Sequence, residues 1–425
     1  MVDRGKATGN ELEPAGRAIL LKMTPRKWRL IRVLEAALKV VRLLLPAPPK
    51  PTTGKAPPKS ILVMEYWNLG DLVILVPFLR NLRESFPNAR VALLVKDSLQ
   101  SFLQDQGLVD EFIPICVPWA QHFSRWQKYN PFLGLWLPFL NGIWGLRQSK
   151  FDMAFSGRMD IRDNFLMWLS GARRRVGYGI GGGRFLLTDC VAPDLSRPHR
   201  TDVWLHLLNS LGFEVAENAE QFHLSPASLI RAQSLLDSFG IPEGVPLTGV
   251  HPGARIAIRR WGDERFAEVA KDLLKDETVH VLWFLEPNST SAAPKLDRCH
   301  EVRLDFESFL AVLSLCEFLV CNDSGPMHLA GLLGIPVVAV FGSTNPVWFG
   351  PRGNKDRVVI RPEMPCRPCF DYCIFDQPYC LRAISPEQTI AVVKDALVDI
   401  RNHSFDATIG KSRMTVASGE RGNHD

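Results

Sequence analysis

An α/β fold made of two wound parallel-sheet domains is what this sequence predicts, on three observations. Short β-branched apolar runs alternate with stretches of helical length from about residue 60 to residue 400. The alternation runs in two series, with a boundary near residues 215–228. Several of the apolar runs end in turns that carry Gly, Asp, Ser or His, and in open α/β sheets ligands bind at the carboxyl ends of strands.

Taken in order, residues 1–23 read as disordered. TPRKWRLIRVLEAALKVVRLLL then begins with a cap and a Pro at the first helical position. At 100° per residue it places Arg29, Arg32, Glu35, Lys39 and Arg42 on one face and Leu30, Leu34, Leu38, Val41 and Leu45 on the other. PAPPKPTTGKAPPK follows as a Pro-rich linker. A basic amphipathic helix on such a tether suits an anionic membrane surface, and equally suits packing on its own domain or a partner.

The first series reads SILVMEYW as strand, NLGDLVILVPFLRNLRESF as loop and helix, ARVALLVK as strand, DSLQSFLQDQ as helix and EFIPICV as strand. Residues 117–150, rich in Trp and Phe, fit a helical hairpin, an acceptor-facing surface or plain core packing. FDMAFSG (151–157) and RRRVGYG (173–179) resume the strands. In the second series SPASLIRAQSLLDSFG is a helix, VPLTGVHPGA strand and loop, DERFAEVAKDLLKD a helix and TVHVLWFLE a strand. ESFLAVLSLC, FLVCND, PMHLAGLLG and PVVAVFG continue the alternation, and PEQTIAVVKDALVDI closes it. The domain plan is 1–58 helix and linker, 59–224 first domain, 225–401 second domain, 402–425 disordered tail.

A chain of 425 residues can fill two cores, and 46% hydrophobic with 22% charged residues is an ordinary globular composition. The net charge of +5 is unevenly spread: residues 1–59 hold thirteen Lys/Arg against four Asp/Glu, and the rest hold 37 against 41. A mildly acidic body with a basic arm argues against a nucleic-acid partner. No apolar run reaches membrane-spanning length, and charges break the N-terminal apolar stretch, so no secretory signal is read. Cys116, Cys190, Cys299, Cys316 and Cys321 lie in core-like segments, which suits a reducing cytoplasm.

Four places carry more than packing information. LGDLV sets Gly70-Asp71 at the start of the first helix, where Asp71 serves as a cap or as a catalytic carboxylate. HPGARIAIRRW places Gly253 and Arg259 in a loop suited to a diphosphate, through close backbone N–H groups and a chelating guanidinium, or to plain solvent exposure. CNDSGPMHLAG puts Asp323, Ser324, Gly325 and His328 where a strand meets a helix N-terminus, a place that favours anions. Gly342-Ser343-Thr344-Asn345 follows the next strand with a similar turn, which strengthens the binding-site reading. Last, Cys366, Cys369, Cys373 and Cys380 form C-x2-C-x3-C-x6-C. Four thiolates in fifteen residues can hold a structural zinc or an iron–sulfur cluster, or act as free or redox-active thiols, or pair as disulfides.

With these motifs in order, the sequence resembles glycosyltransferase family 9, the heptosyltransferases of lipopolysaccharide core assembly. ILVMEYWNLGDLVILVPFLRNLRESFPNARVALLV looks like the family's opening, and RRRVGYG and HPGARIAIRRWGDERFAEVAKDL like its middle. NDSGPMHLAGLLGIPVVAVFGSTNP is similar to its most diagnostic segment. The resemblance implies a GT-B fold, two Rossmann-like domains facing a central cleft, and inverting transfer from a nucleotide-diphosphate sugar, typically ADP-heptose. The implied acceptor is a lipopolysaccharide core or related glycolipid, and the implied location is cytoplasmic, at the inner face of the membrane. Asp71 matches the family's catalytic base. Arg259, standing where the family usually has Lys, would stabilise the departing diphosphate without a metal. Asp323 would bind the sugar hydroxyls with His328 on the same wall, and Glu286 the ribose or base. The competing reading is a non-catalytic nucleotide-sugar-binding scaffold of the same fold; a nicotinamide dehydrogenase is disfavoured because no G-x-G-x-x-G follows the opening strand.

Overall fold

The computed structural model describes residues 25–44, 57–120, 136–216, 222–361, 363–369 and 371–417. The chain divides into two compact units, Met1–Glu220 and Gln221–Asp425.

Unit 1 holds a six-stranded sheet of β1 Ser60–Met64, β2 Arg90–Val95, β3 Glu111–Pro114, β4 Met153–Ser156, β5 Arg174–Tyr178 and β6 Asp189–Val191. Every pairing is parallel, and the order is β3-β2-β1-β4-β5-β6. β1 is buried from Ile61 to Met64, as a strand covered on both faces must be. The helices of this unit are α1 Pro25–Leu44, α2 Leu69–Ser85, α3 Trp136–Gln148, α4 Ile161–Leu169 and α5 Arg200–Asn209. α2 starts where Asn68 turns extended, carries Asp71 in its first turn and tolerates an internal Pro77. The Asn81 side chain donates to the Pro77 carbonyl at 2.8 Å and brackets the backbone of Ala216, accepting from its N–H at 2.7 Å.

α1 packs on its own domain. Leu38, Ile31 and Leu34 meet Ile161, Phe165, Trp168 and Leu186, Glu35 accepts from the Gly183 N–H at 2.8 Å, and Arg42 donates to the Phe185 carbonyl at 2.9 Å. Leu34 and Leu38 of the arc assigned from periodicity dock, while Leu30 of that arc stands exposed, as do Val33, Val40, Leu43 and Leu44. Apolar residues cover so much of this helix's circumference that a 3.6-residue period cannot select which arc is buried. Residues 1–23, most of the Pro-rich linker, and Leu45 lie outside the described residues. In the aromatic-rich stretch α3 buries Phe139, Ile143 and Leu146 against the sheet and exposes Leu137, Leu140 and Trp144, while residues 121–135 lie outside the described residues.

Unit 2 repeats the plan with β7 Leu247–His251, β8 His280–Leu285, β9 Cys299–Arg303, β10 Phe318–Asn322, β11 Val337–Phe341 and β12 Arg357–Ile360. Its order, β12-β11-β10-β7-β8-β9, is the same parallel topology counted from its own first strand. Both sheets therefore show the 3-2-1-4-5-6 order of a Rossmann-like domain. The helices are α6 Pro226–Ser238, α7 Asp263–Leu273, α8 Phe306–Leu313, α9 Gly325–Leu332, the short α10 Pro346–Phe349 and α11 Tyr379–Arg382, and α12 Pro386–Ala417. α7 and α12 close one face of the sheet over Phe266, Trp283, Val320 and Val393. α12 continues through Ala417, beyond the start of the expected tail at residue 402; no proline interrupts it after Pro386, and residues 418–425 lie outside the described residues.

Gly157, just past β4, marks a tight approach between sheet and helix. A Cβ there would stand 2.5 Å from Trp204 Cδ2, and the Trp204 ring is pinned against Phe78 at 5.0 Å between centroids. Gly157→Ala should therefore lower unfolding stability by about 1–3 kcal/mol through overpacking. A urea midpoint equal to that of the wild type would contradict this packing.

Candidate functional site

Each unit places a polar cluster where its strand order reverses. In unit 1 the reversal falls between β1 and β4. The loop after β1 supplies Glu65, Tyr66, Trp67 and Asn68, and the loop after β4 supplies Arg158. Asn68, not Asp71, is the N-cap of α2, and Asp71 closes a capping box from the third helical position, its Oδ2 accepting from the Asn68 backbone N–H at 3.2 Å. Its other oxygen takes Arg158 Nη2 at 2.8 Å. The same Nη2 donates to Glu65 Oε1 at 3.1 Å, and Glu65 Oε1 also accepts from the Trp67 N–H at 3.2 Å. Arg158 Cζ lies 4.7 Å from the Trp67 ring centroid, a cation–π contact that limits its swing.

Beneath this chain, Tyr66 donates its hydroxyl to Asp163 Oδ1 at 2.5 Å and accepts from Trp119 Nε1 at 3.3 Å. Burial pushes the Glu65 carboxyl up to about 7, against the pull of Arg158, with Asp71 adding to the rise. Burial likewise pushes Asp163 up to about 6, helped by Asp160 and opposed by Arg158. For Arg158, burial alone would lower the pKa, but Glu65 and Asp71 together hold it above its ordinary value. Arg200, on α5, is lowered to about 10 by burial and by Arg158, while Asp71 opposes the drop. Glu65, Arg158, Asp163 and Arg200 were absent from the sequence-based candidates. A strand ending in a Glu, directly before a turn, was the one legible signal among them.

In unit 2 the reversal falls between β7 and β10. Buried Asn322 ties the two strand ends together: its Nδ2 donates to the Pro252 carbonyl at 2.6 Å, and its Oδ1 accepts from the Trp261 N–H at 3.0 Å. That knot holds the 252–261 loop against β10. Gly253 is where it is because a Cβ would lie 2.5 Å from Glu286 Oε1 and 2.9 Å from His251 Cε1. His251 is buried, and burial lowers its pKa although Glu286 opposes the fall. Its Nδ1 has no partner among the described residues.

Asp323 is buried, accepts a short hydrogen bond from Thr344 Oγ1, and lies 3.4 Å from Arg259 Nη1. Ser324 caps α9 in extended conformation and Gly325 opens it, with His328 half-buried in its first turn. The structure thus gathers Arg259 with Asp323, and Gly253 with Glu286.

It adds a residue that sequence reasoning missed. Asp371 grips Arg259 by two parallel bonds, Nε to Oδ1 and Nη2 to Oδ2, each 2.7 Å, and accepts from Ser343 Oγ at 2.7 Å. Burial raises the Asp371 pKa, but Arg259 and Ser343 outweigh it and leave the carboxyl below its ordinary range.

The cysteine expectation is corrected here. Among the described residues no group of three or more His, Cys, Asp or Glu side chains is placed to hold a metal ion. None of Cys366, Cys369, Cys373 and Cys380 is in a disulfide. Cys380 is buried in the unit 2 core beside Leu381 and Ile384, and Cys373 Sγ faces the Gln377 carbonyl at 3.7 Å. The Arg367 guanidinium stands beside Cys380, Cys369 and Cys366. Neither zinc nor an iron–sulfur cluster fits. The segment is anchored by backbone bonds instead, from the Cys369 N–H to the Ser343 carbonyl at 2.9 Å and from Arg367 to the Thr344 carbonyl at 2.9 Å.

Two all-parallel sheets of 3-2-1-4-5-6 order, each with a polar cluster at its reversal, define a two-domain Rossmann-like protein of the GT-B class. Residues 143–379, more than half of the chain, match Glycosyltransferase family 9 (heptosyltransferase), and the chain belongs to that family. It is similar to lipopolysaccharide heptosyltransferase 2 of Escherichia coli, 23% identical over 322 residues that cover 71% of this chain and 87% of the relative. Lipooligosaccharide heptosyltransferase 2 of Campylobacter jejuni is 23% identical over 172 residues, covering 36% of this chain and 52% of that protein. Among solved structures, the family 9 glycosyl transferase of Veillonella parvula matches with a TM-score of 0.60 at 23% identity, over 80% of this chain and 97% of the other. The E. coli ADP-heptose heptosyltransferase II matches with a TM-score of 0.59 at 19% identity, over 80% and 99%.

Asp163 gives a testable stability consequence. Its folded-state pKa, raised from 3.8 to about 6, means the folded chain holds a proton that the unfolded chain releases. The stabilising contribution is complete below pH 3.8 and is lost as pH rises through about 6. Wild type should lose stability relative to Asp163→Asn between pH 4 and pH 7.5, measured by urea unfolding at both ends. A difference that does not change with pH would show that Asp163 is ionised throughout.

Proposed function

We propose that the protein is an inverting glycosyltransferase that moves a heptose from ADP-heptose to a lipopolysaccharide core or related glycan acceptor. The observation that carries this reading is the state of Asp71. It is a carboxylate at the carboxyl edge of a parallel sheet, fixed through one oxygen by a backbone N–H and through the other by Arg158, and still partly open to solvent.

In the proposed reaction Asp71 accepts the proton of the acceptor hydroxyl as that oxygen bonds to the anomeric carbon. The bond from that carbon to the phosphate oxygen breaks, and its electron pair leaves with the nucleoside diphosphate. Arg259 and the N–H groups that open α9 offset the charge that develops there. Asp323 holds sugar hydroxyls, with Ser324, Gly325 and His328 lining the same wall. Glu286, lying against Gly253, takes the ribose or base. The names of the E. coli relatives, which cite lipopolysaccharide and ADP-heptose, support this choice of donor and acceptor. The scaffold reading is disfavoured because the carboxylates it would dispense with, Asp71 and Asp323, are both present and both tied to arginines.

The same proposal places the chain at the inner face of the cytoplasmic membrane. Among the described residues no helix is long and apolar enough to cross a membrane. α1 docks one arc on its own domain and leaves Leu30, Val33, Val40, Leu43 and Leu44 exposed among Arg26, Arg29, Arg32 and Lys39, as a surface-lying helix would.

Asp71→Asn should lower transfer roughly 10²–10⁴-fold while ADP affinity stays unchanged; full activity in that variant would remove the base assignment. In calorimetric titration ADP should bind in preference to UDP, GDP and CMP, without Mg²⁺, and Asp323→Ala should weaken the binding. Binding to no nucleotide would move the weight to the scaffold reading. For the membrane contact, the protein should co-sediment with vesicles containing anionic lipid and be released by salt, and Leu43→Asp with Leu44→Asp should abolish the contact. Equal recovery with and without vesicles would refute it.

A further inference from the structure

The proposed reaction gives Asp71 a task but leaves the charges around it unassigned. A carboxylate held by an arginine is ionised and well oriented, and by the same contact it is a poor base. When it takes up a proton, its arginine loses an anion inside a partly buried site, which costs free energy unless a second anion remains.

The structure supplies that second anion. Arg158 Nη2 is shared, 2.8 Å from Asp71 Oδ1 and 3.1 Å from Glu65 Oε1. Glu65 is almost wholly excluded from solvent, and its oxygen is fixed by the Trp67 N–H. Arg158 also stacks on the Trp67 ring, so guanidinium, ring and Glu65 form one rigid wedge behind Asp71.

Resting on the reading of Asp71 as the base, we propose that Arg158 and Glu65 are positioning residues for its carboxylate: Arg158 orients it, and Glu65 stays behind as the counter-ion of Arg158 when Asp71 accepts the acceptor's proton. The proton passes from the acceptor hydroxyl to Asp71 and later to water. Neither Glu65 nor Arg158 gains or loses one in the step.

Activity then requires Glu65 to be ionised. The groups facing it are Arg158 from the loop after β4, Asp71 from α2 and Asp163 from α4. Arg158 in turn faces Asp163, and Arg200 on α5 faces both Arg158 and Asp71. Burial lifts Glu65 to about 7, so its ionisation falls inside an accessible pH range. Below that range Arg158 lacks the Glu65 counter-ion, and proton transfer to Asp71 is disfavoured.

The test is the pH dependence of kcat and KM with ADP-heptose and a heptose-deficient core glycolipid, for wild type, Glu65→Gln, Arg158→Lys, Arg158→Met and Asp71→Asn. Circular dichroism and ADP binding check the fold of each. Wild-type kcat/KM should rise through an acidic limb with its midpoint near 7. Glu65→Gln should lose that limb and lower kcat about 10- to 100-fold at pH 8, with the donor KM within about twofold. Arg158→Lys, which keeps a charge but not the fork, should retain more kcat than Arg158→Met. A Glu65→Gln enzyme with wild-type kcat, or one that is slower yet keeps the limb, overturns the proposal and leaves the base reading standing if Asp71→Asn is inactive. Activity that survives in Asp71→Asn removes the base reading and this proposal with it. Should Glu65→Gln not fold, Arg158→Lys and Arg158→Met decide: equal kcat in the two overturns the positioning role.

Discussion

The reversal of strand order inside each parallel sheet is the constraint on which the rest of the molecule depends. In unit 1 the chain winds outward from β1 through β2 and β3, then returns to the other side of β1 to place β4. The reversal brings the loops after β1 and β4 to the same sheet edge, where Arg158 of one meets Glu65 of the other. Unit 2 repeats this between β7 and β10. Polar side chains collect in these two places because backbone N–H groups and helix N-termini point there, and because the neighbouring strands are too apolar to receive them.

The two reversals handle charge differently. Unit 2 joins its strand ends with a neutral side chain: Asn322 satisfies a carbonyl and an N–H at once, so the knot carries no ionic desolvation cost. Unit 1 has a carboxylate and a guanidinium at the comparable positions, Glu65 and Arg158. Three carboxyl groups, Glu65, Asp71 and Asp163, surround the Arg158 charge, and two of them are buried deeply enough that their protons stay on well above the ordinary carboxylate range. Such an arrangement is a weak source of stability, since desolvation offsets most of what pairing contributes. It does hold a side chain in one orientation.

The segment of four cysteines shows how composition misleads when geometry is missing. Its thiols neighbour one another, which is what the spacing suggested, but an arginine stands among three of them and a fourth side of the site is core. What the segment delivers is Asp371, whose two parallel bonds to Arg259 need a planar fork. A lysine has no such edge. Arg259 is thus one half of a pair whose other half lies 112 residues away.

By itself the sequence determined the fold class, the two series and the location of most polar turns, because buried parallel strands such as LTGVH and FLVCN are short, largely apolar and lead into turns that carry glycine or aspartate. Of the edge strands it found β3, as EFIPICV, and missed β6, β9 and β12. CHEVR in β9 and DCV in β6 sit at sheet margins, where polar side chains reach water and the apolar signal is lost. Of the residues nominated from motifs, Gly253 and Asp323 lie just past strand ends, Asp71 in the first turn of α2 and Arg259 further along the loop after β7. Their partners were decided only by the tertiary structure. Arg158 reaches Asp71 across 87 positions, Thr344 reaches Asp323 across 21, and Asp371 reaches Arg259 from a different loop. Local pattern records how each segment buries its own apolar face. Which charges end within 3 Å of each other depends on how crossovers bring distant loops to one sheet edge, and no local periodicity carries that information.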